Sequence, residues 1–442
     1  MTFQAPKGTH DILPGESERW NWLEERLREI LERYGYREVR TPMFESTDLF
    51  VRGVGDATDI VRKELYTFED KGGRSLTLRP EGTASVVRAY IEHSLGHGQP
   101  MARFYYIGSM FRYERPQAGR YRQFGQVGAE LFGPGGPAAD GEMIDLFVAV
   151  MRAVGLEEPL VLLNSLGDAT CRPVYREKLV EYFTSRADSL CGDCRERLRT
   201  NPLRILDCKV PSCQPVLAAA PTMLDYLCGP CREHFEGVQA ALRALSIPFE
   251  IASRLVRGLD YYTRTVFEVH SRALGAQSAV GGGGRYDNLV KEFGGPSVPA
   301  LGFSIGLERL LIAAGAEASG EGAPDVAVIA REAEATLEAL ALARELRETP
   351  AAKAAGGADG CPRGLRVVTD LVGRSAGAQM KWASKMGARW AVFVPPDADG
   401  YPVRNMQAGT DEPKQNGVAA LRSFLADRTS RSALIAERAP RS

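Results

Sequence analysis

The stretch RGLDYYTRTVFEV at 257–269 combines the pattern of a strand with polar groups that a strand does not need. Its second half alternates polar and apolar residues, which is typical of a half-buried strand. Its first half places Arg257, Tyr261 and Tyr262 around a glycine. We expect Arg257 to supply fixed positive charge at the mouth of a cavity, and one tyrosine hydroxyl to hydrogen-bond a polar substrate group. The alternative is a surface strand edge with a tyrosine packed flat.

A second segment, FRYERPQAGRYRQFGQVGAE at 111–130, predicts a hairpin rich in arginine. Arg112 and Glu114 lie at the end of the first strand, and three further arginines lie in the turn. The second strand carries Phe124, Gln126 and Glu130. The planar guanidinium pairs with phosphate oxygens bidentately, so this hairpin suits a polyphosphate or a nucleic-acid backbone. An exposed charged hairpin is the alternative.

The segment LRPEGT at 78–83 places a carboxylate beside a hydroxyl. Glu81 and Thr83 could hold a substrate ammonium group. They could equally begin a helix, because Pro80 and Glu81 are both favourable in a first turn. The two interpretations are compatible with each other.

Two glycine-bearing segments complete the set of candidate site elements. The run AVGGGGRYDNL at 279–289 lets a ligand approach the backbone closely, but no Gly-Lys-Ser/Thr follows it as in a Walker A loop. In ALGFSIGLERLL at 300–311, Gly302 and Gly306 permit close packing of strand and helix, and we expect Arg309 to project toward the sheet. A flexible turn and a surface arginine are the alternatives.

Six of the eight cysteines fall between positions 191 and 231. Two C-x₂-C pairs, CGDC and CGPC, predict one structural zinc site in which two tight turns each give two thiolates to a tetrahedron. The alternative is a set of reduced, unligated thiols, and in both cases Cys208 and Cys213 are bystanders. The predicted ligands are Cys191, Cys194, Cys228 and Cys231.

Secondary-structure signals place these segments on a largely antiparallel sheet. Apolar residues at three- and four-residue spacings predict a helix over 16–34, and long strand signals with few intervening helices follow it. Residues 171–245 are mostly helix-like and carry the cysteines, and strand signals resume at 249. We therefore expect an α+β fold with a helical insertion.

The C-terminal part predicts a separate small α/β domain. Small polar residues at 314–324 indicate a linker, after which strand and helix patterns alternate, with a loop predicted at 350–364. From 360 to 442 there are 13 Lys plus Arg against 7 Asp plus Glu, an excess of 6 positive charges. That excess is compatible with RNA contact and also with a solvated surface.

Bulk composition excludes several classes of protein. The net charge is −1 over 442 residues, so any basic partner surface is local. No apolar run reaches the length of a membrane span, and the first residues lack a signal-peptide pattern. We expect a cytoplasmic protein with no membrane partner.

Taken together, these segments resemble the class II aminoacyl-tRNA synthetases and, among them, the histidyl-tRNA synthetase family. FRYERP with its basic loop is similar to the second class motif, GFSIGLERL to the third, and the strand ending at Pro42 to the first. RGLDYY and SAVGGGGRYDNL are similar to the two histidine-specific segments. The resemblance implies a catalytic domain in two parts, 1–170 and 246–320, an insertion domain at 171–245 and an anticodon-binding domain at 325–430.

The resemblance also implies an activity and a role for each residue. ATP and L-histidine form histidyl-adenylate, and the histidyl group then passes to the terminal ribose of tRNA(His), with Mg²⁺ accompanying the pyrophosphate. Arg112 and Arg257 match arginines on the α-phosphate and Arg309 matches one on the γ-phosphate, while Glu114 and Phe124 match the adenine contacts. For the amino acid, Glu81, Thr83 and Gln126 match the ammonium and carboxylate contacts, Glu130 and Tyr262 bracket the imidazole, and Tyr261 and Tyr286 line the pocket.

Homodimerisation follows from the resemblance as well. Two alternatives to the tRNA-charging enzyme are a catalytically silent, synthetase-like regulatory subunit of histidine biosynthesis and an RNA-binding module without chemistry. Such regulatory subunits lack the RGLDYY arginine and the C-terminal domain, and this sequence contains both.

Overall fold

The computed structural model divides into two compact units, Met1–Gly320 and Glu321–Ser442. Each unit is built around its own sheet and its own hydrophobic core. Across the two units, the structure describes residues 3–56, 58–117, 119–271, 279–315, 322–348 and 364–436.

An eight-stranded sheet forms the centre of the first unit, with strand order β1-β5-β6-β11-β10-β9-β7-β8. The pairs β1/β5 and β7/β8 are parallel and the other neighbours are antiparallel, which confirms the predicted mostly antiparallel sheet. A smaller sheet has the order β2-β4-β3. The strands are β1 Arg37–Glu38, β2 Phe44–Ser46, β3 Tyr66–Glu69, β4 Ser75–Leu78, β5 Ala102–Phe111, β6 Gln123–Phe132, β7 Leu160–Ser165, β8 Phe249–Ile251, β9 Thr263–His270, β10 Ala279–Arg285 and β11 Ala300–Gly306.

Helices cover the large sheet. The first, α1, buries Trp20, Leu23, Leu27 and Leu31 along one face and ends before Gly35, whose φ of 77° a residue with a side chain rarely adopts. The helices are α1 Glu16–Arg33, α2 Thr47–Val54, α3 Thr83–Glu92, α4 Pro137–Ala153, α5 Arg172–Thr184, α6 Gly192–Thr200, α7 Gln214–Ala218, α8 Gly229–Ala244, α9 Leu289–Glu292 and α10 Leu307–Ala314, with a π-helical turn at Ile60–Glu64 and 3₁₀ turns at Ala187–Ser189, Pro202–Asp207, Pro211–Cys213 and Met223–Tyr226.

The cysteine-bearing region 171–245 consists of α5 to α8 and short 3₁₀ turns, as its pattern predicted. Its buried residues belong to the same hydrophobic cluster as those of α1, α4 and the large sheet. Leu179, Phe183 and Leu242 are fully buried in that cluster. The region therefore shares a core with the sheet that it interrupts in the sequence.

The second unit is an α/β layer with a five-stranded sheet of order β13-β12-β14-β15-β16. On β12, Val326 and Val328 face one core with α11 and α13, while Ala327 and Ile329 face a second core with α12. Burial on both faces accounts for the continuous apolar run of this strand. The elements are β12 Val326–Ala330, α11 Thr336–Arg347, β13 Val367–Thr369, α12 Ala376–Lys385, β14 Trp390–Val394, β15 Tyr401–Asn405, β16 Thr410–Gln415 and α13 Gly417–Ala436, with a 3₁₀ turn at Ala333–Ala335.

Two sequence expectations fall at the edges of what the structure describes. Most of the predicted linker at 314–324 and nearly all of the predicted loop at 350–364 lie outside the described residues. Among the helices of the described ranges, none combines the length and apolarity needed to span a bilayer.

Candidate active site

A cavity of about 990 Å³ lies on one face of the large sheet. Arg112, Arg257 and Arg309, which come from three separate segments, all line it. The volume is at the upper end of the range for small-molecule sites, so a nucleotide and an amino acid can occupy it together. Other predicted site residues in its wall are Glu81, Glu114, Phe124, Gln126, Tyr261 and Tyr262.

Arg112 follows directly after β5, at the entrance of the arginine-rich turn. Its Nε donates to the Pro80 carbonyl over 2.7 Å, which ties the turn to the segment that begins α3. Its guanidinium carbon lies 5.4 Å from the centre of the Phe124 ring, and its Nη1 lies 3.8 Å from Glu114 Oε1. A planar ring, a carboxylate and a cation thus occupy one end of the cavity.

Arg257 lies in the loop before β9 and lines the cavity. Its Nη1 lies 2.5 Å from Oε1 of Glu268, whose other carboxylate oxygen is 3.1 Å from His270 Nε2. The Arg257 Nε is buried without a hydrogen-bond partner. Burial opposes ionisation of Glu268, but His270 and Arg257 together lower its pKa below the usual range. The carboxylate therefore holds Arg257 by charge.

Gly282 makes room for Arg257. A Cβ atom at this position would lie 2.9 Å from Arg257 Nη1 and 2.4 Å from the Phe267 carbonyl oxygen. The Arg257 guanidinium therefore packs directly against the backbone of β10. The group that closely approaches the glycine run is a side chain of the protein itself.

Arg309 projects from the first turn of α10. Burial and the positive charge of Arg120 both lower its pKa, while Glu268 raises it. Glu308, its neighbour, turns inward and accepts a hydrogen bond of 2.8 Å from the Gly125 backbone N–H. Burial raises the pKa of Glu308 to about 7. The first turn of α10 thus places the Arg309 guanidinium in the cavity, and Glu308 of the same turn hydrogen-bonds to β6.

Beneath the cavity, Glu130 is the centre of a buried hydrogen-bond network. Thr83 Oγ1 donates to its Oε1 over 2.7 Å, and the Tyr286 hydroxyl donates to its Oε2. Glu130 and Tyr286 are almost inaccessible to solvent. Burial raises the pKa of Glu130 to about 8, and the charge of Glu81 adds to this rise. Thr83, Glu130 and Tyr286 do not line the cavity themselves; the network lies behind Glu81 and Tyr261, which do.

Three tyrosines pack together beside that network. The ring centres of Tyr261 and Tyr262 are 4.7 Å apart, and those of Tyr261 and Tyr286 are 5.6 Å apart. Both Tyr261 and Tyr262 are buried, and burial raises the pKa of each hydroxyl. They remain neutral donors, which suits a pocket for a polar ring.

Glu81 caps the start of α3. Its two carboxylate oxygens accept hydrogen bonds from the backbone N–H groups of Thr83 (2.7 Å) and Ala84 (2.8 Å). Burial raises its pKa, although these bonds and Arg112 lower it. Glu81 thus begins the helix and also lines the cavity, although it is almost fully buried, and its role in binding a substrate ammonium group stays a prediction.

Sequence analysis missed several residues of the site. Tyr106 on β5 donates to Gln126 Oε1 over 3.4 Å, and it fits there because Gly82 and Gly128 leave space for its ring. Glu268 and Glu308 were missed as well. Strand alternation was the available signal for Tyr106 and Glu268, but alternation alone does not say which face carries the ligand.

The cysteine prediction was wrong in its grouping. The two C-x₂-C pairs do not share one site: Cys191 and Cys194 lie with Cys208 and Cys213, whereas Cys228 and Cys231 lie with Asp168 and Cys171. Each pair sits at the start of a different helix, α6 or α8, and the fold places those helix starts against different partners. Cys208 and Cys213, expected to be bystanders, complete the first group.

The antiparallel sheet and the arginines gathered on one of its faces are those of a class II aminoacyl-tRNA synthetase. A family model described as histidyl-tRNA synthetase matches residues 8–310. The chain belongs to the histidyl-tRNA synthetase family.

Three relatives match this chain over nearly its whole length. The chain is 48% identical to the histidine–tRNA ligase of Geobacillus thermodenitrificans, with 98% of this chain and 100% of the relative covered. It is 47% identical to that of Desulforamulus reducens, with 97% and 100% covered. The crystal structure of apo histidyl-tRNA synthetase from S. aureus superposes with a TM-score of 0.77 at 34% identity, covering 96% of this chain and 100% of that one.

Proposed function

We propose that this chain activates L-histidine with ATP and transfers the histidyl group to the 3′-terminal ribose of tRNA(His). The observation that carries the proposal is the convergence of three guanidinium groups on one cavity, directly above the Glu130 network. Family membership supports the reaction class, a ligase that uses ATP.

The first step brings together two anions, the histidine carboxylate and the α-phosphate. Arg112 and Arg257 both line the cavity and offset the repulsion between these anions, while Arg309 binds the γ-phosphate. Because these groups are held in place before the substrates bind, little reorganisation is needed as charge develops. The Mg²⁺ that enters with ATP supplies further neutralisation of the pyrophosphate oxygens.

The base of ATP binds at the end of the cavity that carries Phe124 and Glu114. The Phe124 ring offers a stacking face to adenine, and Glu114 accepts a hydrogen bond from its amino group. Arg112 lies near both side chains and so connects the adenine end with the α-phosphate end.

Histidine binds between the cavity and the buried network. Glu81, Thr83 and Gln126 hold its ammonium and carboxylate groups, and Glu130 and Tyr262 bracket the imidazole, with Tyr261 and Tyr286 as the walls. An apolar amino acid in this pocket would leave the groups offered to the two ring nitrogens, the remaining acceptor capacity of Glu130 and the Tyr262 hydroxyl, without a ligand partner, which gives discrimination of roughly 10⁴-fold or more without editing.

The remaining parts of the proposal concern the whole chain. We assign the catalytic domain to 1–170 and 246–320, the insertion domain to 171–245 and anticodon binding to 325–430. Homodimerisation and a cytoplasmic location complete the proposal, as in the family resemblance.

Histidine-dependent exchange of labelled pyrophosphate into ATP tests this function. We expect exchange with the wild-type chain and its loss, by roughly 10²–10³-fold, in Arg257→Ala. Wild-type exchange at background would contradict the proposal and would favour a silent regulatory subunit. Nucleotide binding without any turnover would favour the RNA-binding alternative.

A further inference from the structure

Seven cysteines lie in the described part of the chain, and every one of them belongs to one of two four-ligand groups. The first group contains four thiols and the second contains three thiols and a carboxylate, and within each group all the donor atoms are within 4.8 Å of one another. A buried free cysteine behaves as a small apolar side chain, and this property does not favour groups of four thiols. The members are Cys191, Cys194, Cys208 and Cys213 in the first group, and Asp168, Cys171, Cys228 and Cys231 in the second.

We propose that the chain binds two structural Zn²⁺ ions, one in each group. Each group offers four donors of the kinds that structural zinc sites use, and closed four-coordinate sites leave no position for substrate.

Distances in the first group match a tetrahedron. Sulfurs bound to one Zn²⁺ at about 2.3 Å lie roughly 3.8 Å from each other. The Cys191 and Cys208 sulfurs are 3.9 Å apart. That distance also excludes a disulfide between them, since bonded sulfurs are about 2.05 Å apart.

The second group matches a site with one oxygen ligand. Asp168 Oδ1 lies 3.6 Å from Cys171 Sγ and 3.9 Å from Cys228 Sγ. An oxygen at about 2.1 Å and a sulfur at about 2.3 Å from one Zn²⁺ would be roughly 3.6 Å apart. The other oxygen, Oδ2, lies 3.6 Å from the Arg264 guanidinium, which orients the carboxylate as outer partners of metal ligands do.

Backbone groups already point at the sulfurs. The Cys191 N–H donates to Cys213 Sγ over 3.2 Å and the Val210 N–H to Cys208 Sγ over 3.4 Å. In the second group, the Asp168 N–H donates to Cys171 Sγ over 3.3 Å. Such N–H···S bonds stabilise thiolates, which are the form that binds zinc.

The two sites fix different parts of the unit. The first joins α6 to the 3₁₀ turns at Pro202–Asp207 and Pro211–Cys213. The second joins α8 to the turn between β7 and α5, and that turn reaches the histidine pocket. Leu166 N–H donates to the Arg264 carbonyl, and Arg172 Nη1 donates to the Tyr262 carbonyl over 2.9 Å.

Metal analysis of the full chain, purified without chelator, tests the proposal. We expect two zinc ions per chain. Cys208→Ser and Cys228→Ser should each leave about one, and the double variant should leave none. Cys361→Ser is the matched control, because the proposal assigns Cys361 to neither site, and it should retain two.

Several results would overturn the proposal. One zinc or less in the wild type would do so, and iron in place of zinc would reject the metal assignment. Unchanged zinc in Cys208→Ser would show that Cys208 is not a ligand and would reject the first site. These counts do not depend on catalysis, so they stand even if the proposed function fails.

A measurement on the wild-type chain covers the case in which a serine variant does not fold. Cobalt exchanged for zinc should bind at two equivalents with the visible bands of tetrahedral Co²⁺ and strong thiolate-to-cobalt absorption in the near ultraviolet. Fewer than two equivalents, or the weak bands of octahedral cobalt, would contradict both sites.

Discussion

Arg257 and Glu268 form an ion pair in the wall of the active-site cavity, with 2.5 Å between Nη1 and Oε1. Glu268 also contacts His270, and Gly282 leaves the space in which the guanidinium lies. The Glu268 carboxylate thus orients the Arg257 guanidinium, which we propose binds the α-phosphate.

From this relationship we expect Glu268→Gln to lower histidine-dependent pyrophosphate exchange about tenfold, chiefly in kcat, because Arg257 would no longer be held in place. A double-mutant cycle with Arg257→Ala measures the effect. If Glu268 acts through Arg257, the double variant should be no slower than Arg257→Ala alone. Additive losses would reject the positioning role, and Glu236→Gln, an exposed change on α8, is the matched control.

Replacing Glu130 by Gln should weaken histidine binding selectively. The change keeps the size of the side chain but replaces one of the two oxygens that accept hydrogen bonds from Thr83 and Tyr286 with an NH2 group, which can only donate. We expect the KM for histidine to rise roughly 10²-fold or more, since a buried acceptor is lost and a donor is left facing a donor, while the KM for ATP changes less than about threefold. Equal increases in both KM values would contradict the assignment of Glu130 to the imidazole.

The pKa of Glu130 makes stability depend on pH. Its folded pKa is about 8, above the ordinary value of 4.5, so the folded state binds more protons than the unfolded state between these values. Stability contributed by this group is therefore present below about pH 4.5 and is lost as pH rises to about 8.

Thermal unfolding of wild type and Glu130→Gln between pH 5 and 8 checks this sign. The Tm of the wild-type chain, without ligand, should fall relative to that of Glu130→Gln as the pH rises. The limiting slope is about 1.4 kcal/mol per pH unit. A constant difference across this window, or a wild-type chain that gains relative stability with pH, would show that Glu130 ionises with an ordinary pKa.

Gly302 controls the position of Glu130. In the sheet Gly302 pairs with Glu130, and a Cβ at Gly302 would lie 1.9 Å from Glu130 Oε2 and 2.5 Å from the Ala129 carbonyl oxygen. We expect Gly302→Ala to lower the Tm by several degrees and to raise the KM for histidine, because the strand and the carboxylate must both shift.

Gly136→Ala provides the matched control for that substitution. Gly136 has a φ of −87°, which alanine adopts readily, and no atom lies within 4 Å of the added Cβ. Because Gly136 is the N-cap of α4, where alanine is less favourable than glycine, the same chemical change should lower the Tm slightly, and by less than Gly302→Ala does. Equal losses in the two variants would mean that crowding at Glu130 is not the cause.

Local sequence patterns predicted the elements near part of the site, and the family resemblance selected the residues. Arg112 directly follows β5 and Arg309 lies in the first turn of α10, whereas Arg257 lies in the loop before β9. The helix α1 and the strands of the second unit were predictable, since their apolar periodicity coincides with their burial.

The rest depended on contacts that the sequence does not encode locally. A C-x₂-C pair predicts two ligands on one turn, but its partner pair is chosen by how helices pack, and that choice placed Cys191 and Cys228 in different groups. Tyr106 likewise faces the pocket because of glycines 24 residues before it and 22 after it, at positions 82 and 128. Tertiary packing, not residue type, selected these residues.

The central claim is that three guanidinium groups bind one triphosphate beside a pocket for imidazole. A structure of the chain with ATP and L-histidinol, an alcohol that has no carboxylate to activate, tests it most directly. We predict Arg112 and Arg257 within hydrogen-bond distance of the α-phosphate, Arg309 on the γ-phosphate, and the imidazole between Glu130 and Tyr262. A triphosphate bound away from these arginines, or an imidazole outside the Glu130 pocket, would contradict the account.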